Sequence, residues 1–252
     1  MTMNLTTRER RILEMLVKDS STSVGQLSKA LDVSEVTVRS DLNALASKGF
    51  IIRTHGGAVP AFHPNILERQ KTMPQEKELI AKKAAELVND GDNIMISTGT
   101  TSSTISKYLI GKGDIHVVTN STYVLPFARI NPSLRVTFIG GEFNSASEGM
   151  TGPIAARELN KFRVKTAFVG TDGFSIDGGV SAHSMELADI VRKMSEQSDT
   201  TVLVTDSSKY GHTGFAHMLD IEDIDILVTD CGLKSEDREK LEKKSVKIVI
   251  AK

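Results

Sequence analysis

The sequence has one cysteine, Cys231, among its 252 residues. A single thiol excludes an intrachain disulfide and a cysteine-based zinc cluster. No apolar run approaches the length of about 18 residues that a membrane-spanning helix needs, and the start, MTMNLTTRERR, lacks the apolar core of a secretory leader. We therefore expect a cytoplasmic protein. The formal net charge of −1 favours no particular class of partner.

Several motifs of catalysis and cofactor binding are also missing. The chain has no GxxxxGK[ST] segment for a nucleoside triphosphate, no GxGxxG after a strand for a dinucleotide, and no Gly-x-Ser-x-Gly turn for a serine nucleophile. Its six histidines are scattered, and His212 and His217 have no cysteine near them. We therefore expect neither a cofactor nor a metal site.

A proline-rich segment, AVPAFHPNILERQKTMPQEK at 58–77, divides the chain. It holds Pro60, Pro64 and Pro74, three of the six prolines. Proline disfavours helix at its own position and in the residue before it, so the segment predicts an extended linker. The predicted organisation is a first domain at 1–58, a linker at 59–76 and a second domain at 77–252.

The second domain alternates between apolar runs and amphipathic segments. The runs typical of strands are 93–97, 115–119, 134–141, 165–173, 201–206, 225–230 and 246–250, and the segments typical of helices are 100–110, 152–162 and 185–197. Alternation of this kind predicts an α/β domain with a mainly parallel sheet and helices on its faces. Ligands bind such sheets outside the carboxyl ends of the strands, where this sequence places polar turns.

The turn TGTTSST at 98–104 is one of these. A helix N-terminus offers unpaired N–H groups and the positive end of a dipole, both of which favour an anion. Gly99 allows a close approach of the backbone, and the hydroxyls of Thr98, Thr100 and Thr101 can donate hydrogen bonds. The pattern predicts an anion site, although spacing alone leaves open an ordinary strand-to-helix turn with hydroxyl caps.

The first domain has the pattern of three helices and a β-ribbon. Apolar stripes at helical spacing predict a helix from Thr6, a second capped by Ser23 and a third capped by Ser34. Two short strands follow around His55. Three helices and a ribbon in under 60 residues predict a winged helix-turn-helix whose third helix reads DNA. Residues 1–57 carry a net charge of +2 and the remainder −3, and a small bundle that binds nothing is the alternative.

The third helix is expected to bury Val38, Leu42 and Leu45. The side chains that this leaves largely outside are Glu35, Val36, Thr37, Arg39, Ser40 and Asn43. Guanidinium, hydroxyl and amide groups of this kind read base edges and phosphates.

The segment SEVTVRSDLNALASKGFIIRTHGGA at 34–58 resembles the signature of the DeoR family of bacterial transcriptional regulators. That family shows Ser-x-x-Thr-(Ile/Val)-Arg-x-Asp-Leu, matched at 34–42, then Leu-x-x-x-Gly and Arg-x-His-Gly-Gly-Ala, matched at 45–58. The resemblance implies that the protein binds double-stranded operator DNA. The residues expected to meet DNA are Ser34, Thr37, Arg39, Ser40, Arg53 and His55. Asp41 is expected to hold Arg39 or the fold, because its charge repels phosphate.

The family's second domain resembles ribose-5-phosphate isomerase in fold, and similar turns recur here. The resemblance implies that a phosphorylated sugar or sugar alcohol binds at the strand ends. The turn at 99–101 would hold the phosphate, Asp172 would accept hydrogen bonds from sugar hydroxyls, and Lys209 would supply a cation. The residues expected to bind this effector are Thr98, Gly99, Thr100, Thr101, Asn120, Gly141, Asp172, Gly173 and Lys209.

The chain also departs from the family pattern. Ser97 stands where most members have aspartate, and Arg192 falls where many have lysine. The segment GVSAHSMELADIVRKM at 179–194 matches loosely. These departures leave open which sugar is bound and what Glu186, Arg192 and His183 do.

The isomerases carry an Asp-Gly-Ala-Asp-Glu run, and the corresponding residues 172–176 here keep only the first acid. Because proton transfer needs a positioned base, we expect a sensor and not an enzyme. An anion site joined to a DNA reader predicts a repressor of a sugar-catabolic operon that binds half-sites as a homodimer or homotetramer. An activator with the same sensor and an isomerase-like enzyme are the alternatives.

Overall fold

The computed structural model describes residues 5–252. The chain divides into two compact units, of which the first ends at Thr72 and the second runs from Met73 to Lys252. Residues 1–4 of the predicted first domain lie outside the described residues. None of the helices within 5–252 is long and apolar enough to cross a lipid bilayer.

The first unit consists of helices and one antiparallel hairpin. Its elements are α1 (Thr7–Lys18), α2 (Val24–Leu31), α3 (Glu35–Ser47), β1 (Ile51–Thr54), β2 (Gly57–Pro60) and α4 (Pro64–Lys71). Thr6, Ser23 and Ser34 cap the first three helices, each accepting a backbone N–H in the first turn. The three helices and the two strands expected from the sequence are confirmed, and together they form a winged helix-turn-helix.

Residues 59–76 are not the extended linker that their prolines suggested. Strand β2 continues to Pro60, and helix α4 occupies Pro64–Lys71. Pro64 and Pro74 lie in the first turn of a helix, where the missing N–H has no intrahelical partner to lose. Leu67 of α4 is buried in the core of the first unit, so α4 is part of that unit.

The second unit is built on a parallel sheet. Its strands are β3 (Asn93–Ile96), β4 (Ile115–Thr119), β5 (Leu134–Phe138), β6 (Glu142–Asn144), β7 (Gly149–Thr151), β8 (Val164–Val169), β9 (Gly173–Ser175), β10 (Gly179–Ala182), β11 (Ser198–Val204), β12 (Ala216–Leu219), β13 (Ile226–Asp230) and β14 (Lys247–Ala251). Seven form one sheet in the order β14-β13-β11-β8-β3-β4-β5, and all six pairings are parallel. The other five form two small antiparallel sheets.

Helices cover both faces of the large sheet. They are α5 (Pro74–Ala85), α6 (Thr100–Thr104), α7 (Leu125–Ile130), α8 (Gly152–Leu159), α9 (Met185–Glu196) and α10 (Ser235–Glu242). Side chains alternate between the faces, so Ile94 and Ile96 belong to the core beneath α5 while Met95 belongs to the core beneath α8 and α9. The α/β architecture predicted from alternating segments is confirmed.

The strand order reverses between β3 and β8. From β3 the chain runs outward through β4 and β5, and from β8 it runs the other way through β11, β13 and β14. In open α/β sheets, the crevice at such a switch point, at the carboxyl ends of the strands, is where ligands bind. The turns that follow β3 and β8 are therefore where this fold would bind a ligand.

Candidate functional site

The third helix, α3, presents a polar face with a fixed N-terminus. Val38, Leu42 and Leu45 are fully buried, which confirms the expected inner face. Ser34 Oγ accepts the Thr37 N–H at 3.1 Å and lies 2.9 Å from Thr37 Oγ1. The predicted contacts Ser34 and Thr37 are thus bonded to each other, beside the exposed Arg39 and Ser40.

The hairpin of β1 and β2 is joined to the same helix through Arg53. Arg53 Nη1 donates to Asn43 Oδ1 at 2.8 Å and to the Arg39 carbonyl at 3.4 Å. His55 is exposed at the tip of the hairpin, beside Gly56 with φ +89°. Arg53 therefore positions the wing against α3. The sequence predicts that its partner Asn43 is exposed on α3, but it gives no sign of this hydrogen bond.

Asp41 stabilises the fold by bonding to Arg8, and it does not pair with Arg39. It accepts Arg8 Nε at 2.6 Å and Nη2 at 3.0 Å, which ties α3 to α1. Arg39 faces Glu35 instead, at 3.5 Å, with both side chains about half exposed. An exposed pair of this kind contributes little to stability, so Arg39 can exchange Glu35 for another acceptor at little cost.

In the second unit, the turn after β3 is tightly constrained. Gly99 has φ +145°, and a Cβ there would lie 2.8 Å from Ser102 Oγ. Ser102 Oγ donates to the Ser97 carbonyl at 2.8 Å, and Ser97 Oγ accepts the Gly170 N–H at 3.2 Å. Ser97, the departure from the family pattern, therefore links the ends of β3 and β8 across the switch point.

Thr98 and Asn120 are both buried and bonded to each other. The Thr98 N–H donates to Asn120 Oδ1 at 2.9 Å, Asn120 Nδ2 donates to the Met150 carbonyl at 3.0 Å, and Thr98 Oγ1 donates to the Ser147 carbonyl. These two predicted effector contacts hold the turns together. Thr100 is half-buried at the start of α6, and Thr101 is buried behind it.

The turn after β8 carries Asp172. Its Oδ2 accepts the His183 N–H at 2.8 Å and lies 2.7 Å from His183 Nδ1. A Cβ on Gly173 would lie 2.3 Å from the His212 carbonyl oxygen, so only glycine fits there. His183 thus positions Asp172 at the predicted site.

The turn after β11 holds Lys209, which is half-buried. Asp230 fixes this turn, because it accepts the Ser207 N–H at 2.6 Å, Ser207 Oγ at 2.8 Å and the Gly232 N–H at 2.8 Å. Burial raises the pKa of Asp230, but these hydrogen bonds outweigh burial and the net pKa is lowered. Sequence reasoning missed Asp230, although its place at the end of a strand was a signal.

A second cation lies at the same edge and was also missed. Lys77, in α5, is buried, and its Nζ is 4.0 Å from Oδ2 of the buried Asp206. The sequence gives no signal for Lys77, because its partner Asp206 is far away along the chain. The opposite charges of this pair compensate each other, so Lys77 brings a buried ammonium to this edge of the sheet without adding net charge.

Three other residues were singled out from the sequence. Gly141 has φ +149°, and a Cβ there would lie 2.8 Å from the Thr151 carbonyl, so it allows the β6–β7 hairpin to pack closely. Arg192 pairs with Asp189 at 2.8 Å along α9. Glu186 is exposed in the first turn of α9. Within residues 5–252, no group of three His, Cys, Asp or Glu side chains could hold a metal ion.

Two parts of the chain match known families. Residues 8–61 match the DeoR-like helix-turn-helix domain, and residues 72–231 match the DeoR C terminal sensor domain. Together the two matches cover both units.

Individual relatives span nearly the whole chain. The uncharacterized HTH-type transcriptional regulator YulB of Bacillus subtilis is 33% identical, over 96% of this chain and 95% of its own. The glycerol-3-phosphate regulon repressor of Escherichia coli K12 is 31% identical, over 90% of this chain and 92% of its own. Among solved structures, ribose 5 phosphate isomerase A from Neisseria gonorrhoeae is 20% identical, over 53% of this chain and 52% of its own, with a TM-score of 0.39.

Both near-full-length relatives carry the names of regulators and not of enzymes. The two matched domains, the polar face of α3 and the hairpin beside it agree with that role. The chain therefore belongs to the DeoR family, as a transcriptional regulator with a helix-turn-helix DNA-binding domain and a C-terminal sensor domain.

Proposed function

We propose that the protein is a repressor of a sugar-catabolic operon, released from its operator by a phosphorylated sugar or sugar alcohol. One observation carries the proposal. A chain with an exposed recognition helix also holds a glycine–hydroxyl turn at the switch point of a parallel sheet, and a buried and a half-buried lysine lie at the same edge of that sheet. The relative named glycerol-3-phosphate regulon repressor supports both the sign of regulation and a phosphorylated effector.

In this proposal the phosphate lies against the turn at Gly99, Thr100 and Thr101, at the start of α6, where the first N–H groups of a helix have no intrahelical partner and no side chain among residues 5–252 caps them. Asp172 accepts hydrogen bonds from the sugar hydroxyls, and Lys209 supplies a cation. Thr98 and Asn120 support the turn, because their side chains already donate to the carbonyls of Ser147 and Met150. Gly141 and Gly173 keep the surrounding backbone close.

The DNA contacts in this proposal come from the exposed face of α3 and from the tip of the hairpin. Arg39 and Ser40 reach bases or phosphates, and Ser34 and Thr37 contact the backbone from the helix N-terminus. His55 contacts DNA from the wing, and Arg53 holds the wing in place. One small domain reads few base pairs, so we propose a homodimer or homotetramer that reads repeated half-sites in cytoplasmic DNA.

The test is binding of the purified full chain to the DNA upstream of its own gene, at one stated salt concentration, with and without a panel of sugar phosphates. Salt is held fixed because phosphate contacts make the affinity steeply salt-dependent. Release by one compound, with the unphosphorylated sugar as control, is the expected result. A compound that strengthens the complex would reverse the sign of regulation. A failure to bind any specific DNA would contradict the proposal.

A further inference from the structure

The recognition helix carries one exposed apolar side chain, Val36, in its first turn. Val36 is 76% exposed, whereas Val38, two residues later, is fully buried. Single apolar residues on a surface are common and need no explanation by themselves. Val36 differs from such residues in its position on the recognition helix.

Helical geometry places Val36 at the centre of the polar face. At 3.6 residues per turn, Asn43 lies roughly 20° from Val36 around the helix axis, Ser40 about 40° and Arg39 about 60°. The buried residues Val38 and Leu42 lie on the opposite side. Val36 therefore lies beside Arg39 and Ser40, which are proposed to reach DNA, and it is nearer than either to the helix N-terminus, the end that contacts base edges in helix-turn-helix proteins.

The first turn holds Val36 rigidly. Ser34 caps the helix through the Thr37 N–H at 3.1 Å, so the backbone on both sides of Val36 is fixed. Valine in a helix keeps essentially one χ1 rotamer. Its two methyl groups therefore project in a defined direction and lose little rotamer freedom when another surface covers them.

Helix stability does not explain the choice of valine. Valine is a poorer helix former than alanine, leucine or lysine at an exposed position. Its methyl groups can neither donate nor accept a hydrogen bond, so they offer nothing to phosphate oxygens or to the polar edges of guanine, adenine and cytosine. The one apolar group in the major groove is the C5-methyl of thymine.

We infer that Val36 packs on the C5-methyl group of a thymine in each operator half-site and selects thymine at that position. This inference rests on the proposed operator binding and adds the base feature that the helix reads. Arg39 and Ser40 supply hydrogen bonds around this contact, while Val36 contributes shape and apolar surface.

The experiment uses the full chain and a duplex that it selects from a random-sequence library. Each thymine in the protected region is replaced singly by uracil, which removes only the methyl group. For the unmodified protein, one substitution per half-site is expected to weaken binding about fourfold, the effect of burying one methyl-sized group. In the Val36→Ala protein, which lacks the two γ-methyl groups but keeps the β-carbon, the difference between the thymine and uracil duplexes is expected to be clearly smaller.

Two further variants control the result. Val36→Thr keeps the shape and one methyl group and is expected to retain part of the preference for thymine. Ile110→Ala removes a comparable exposed side chain in the second unit, where Ile110 is 55% exposed, and is expected to leave the preference unchanged. Alanine favours helix, so Val36→Ala keeps α3 folded.

An equal loss on uracil substitution in the Val36→Ala and unmodified proteins would overturn the inference, as would the absence of any thymine whose methyl group matters. If the library yields no duplex at all, the proposed operator binding itself has failed. The two failures are therefore distinguishable.

Discussion

Glu9 is a buried carboxylate that neighbouring donors keep charged. Its oxygens accept Lys48 Nζ at 2.7 and 2.9 Å and the Thr6 N–H at 2.7 Å. Burial raises the pKa of Glu9, but the ammonium and the N–H outweigh burial, so the net pKa lies below the usual 4.5. This group fastens the start of α1 to the end of α3.

The first unit should therefore lose stability in acid. Because the folded pKa of Glu9 is the lower one, its contribution is complete above about pH 4.5 and disappears as the pH falls through the folded value. Hydrogen exchange of α1 and α3 amides, corrected for intrinsic rates, should show this loss of protection. Glu9→Gln should lower protection at neutral pH and flatten its pH dependence, while Glu14→Gln, at an exposed position of α1, should not. An equal acid response in Glu9→Gln would contradict the assignment.

Single polar side chains were the hardest feature to predict from the sequence. The sequence predicts that Thr98 and Asn120 follow the ends of strands, and both do. Their hydrogen bonds could not be predicted, because they depend on partners that are far away along the chain, such as Met150. Asp230 and Lys77 were missed for the same reason. Their partners, Ser207 and Asp206, come close only in the folded sheet.

At the scale of elements, Arg53 joins the wing to the recognition helix. The geometry favours a positioning role, because Nη1 is already bonded to Asn43 and to a helix carbonyl. Arg53→Ala and Asn43→Ala should each weaken operator binding, and the double variant should lose less than the sum by about 0.5–3 kcal/mol. Affinities for one operator at several salt concentrations provide the measurement.

The salt series separates the two roles of Arg53. A positioning role leaves the slope of log affinity against log salt nearly unchanged, whereas loss of a direct phosphate contact lowers its magnitude by about 1. If the losses of the two single variants are strictly additive and the salt slope of Arg53→Ala is smaller in magnitude, Arg53 contacts a DNA phosphate directly.

The turn between β3 and α6 offers a second test at this scale. In Gly99→Ala, the new Cβ would lie 2.8 Å from Ser102 Oγ on a backbone with φ +145°. Strain of about 1–3 kcal/mol should distort the turn, so about tenfold or more effector should be needed for release in a titration of the DNA complex. Gly111→Ala is the matched control, because φ is +92° there but the space is open. Unchanged release by Gly99→Ala would remove this turn from the effector site.

Elements were predictable where a continuous apolar run stands between polar turns. Strands such as β4 and β13 are short apolar runs between turns, and their predicted limits agree with the structure within one residue. The three-residue strands β6, β7 and β9 are too short to show a periodic pattern, although Phe174 of β9 is fully buried. Helix α4 was missed because proline was interpreted as a breaker, although at the first turn it is a helix starter.

At the scale of the whole molecule, the chain passes from one unit to the other at Thr72 and Met73. Met73 has φ +49°, an uncommon value for a residue with a side chain, and α5 begins immediately after it. Four residues on, the buried Lys77 reaches Asp206 at the carboxyl edge of the sheet. One turn of helix therefore separates the junction from a residue at the carboxyl edge of the sheet, the edge at which we propose that the effector binds.

We expect this pair to contribute to the coupling between effector and DNA. An entering phosphate competes with Asp206 for the Lys77 ammonium, and a shift of that side chain acts on the first turn of α5. The double variant Lys77→Gln/Asp206→Asn removes both charges together, so neither is left buried alone. It should bind operator normally without effector but show a coupling factor well below that of the unmodified protein, for which about 5–150-fold is typical.

The coupling can be measured from both sides, because linkage requires the effector to weaken DNA binding by the same factor as operator DNA weakens effector binding. If the two titrations give the same coupling factor, both report the same linked equilibrium between effector binding and DNA binding. Lys83→Gln/Glu86→Gln removes an exposed ion pair from the same helix and should keep the full factor. If it loses coupling as much as the buried pair does, general charge on α5 is responsible. If neither variant changes the coupling factor, the effector acts on DNA binding through residues other than Lys77 and Asp206.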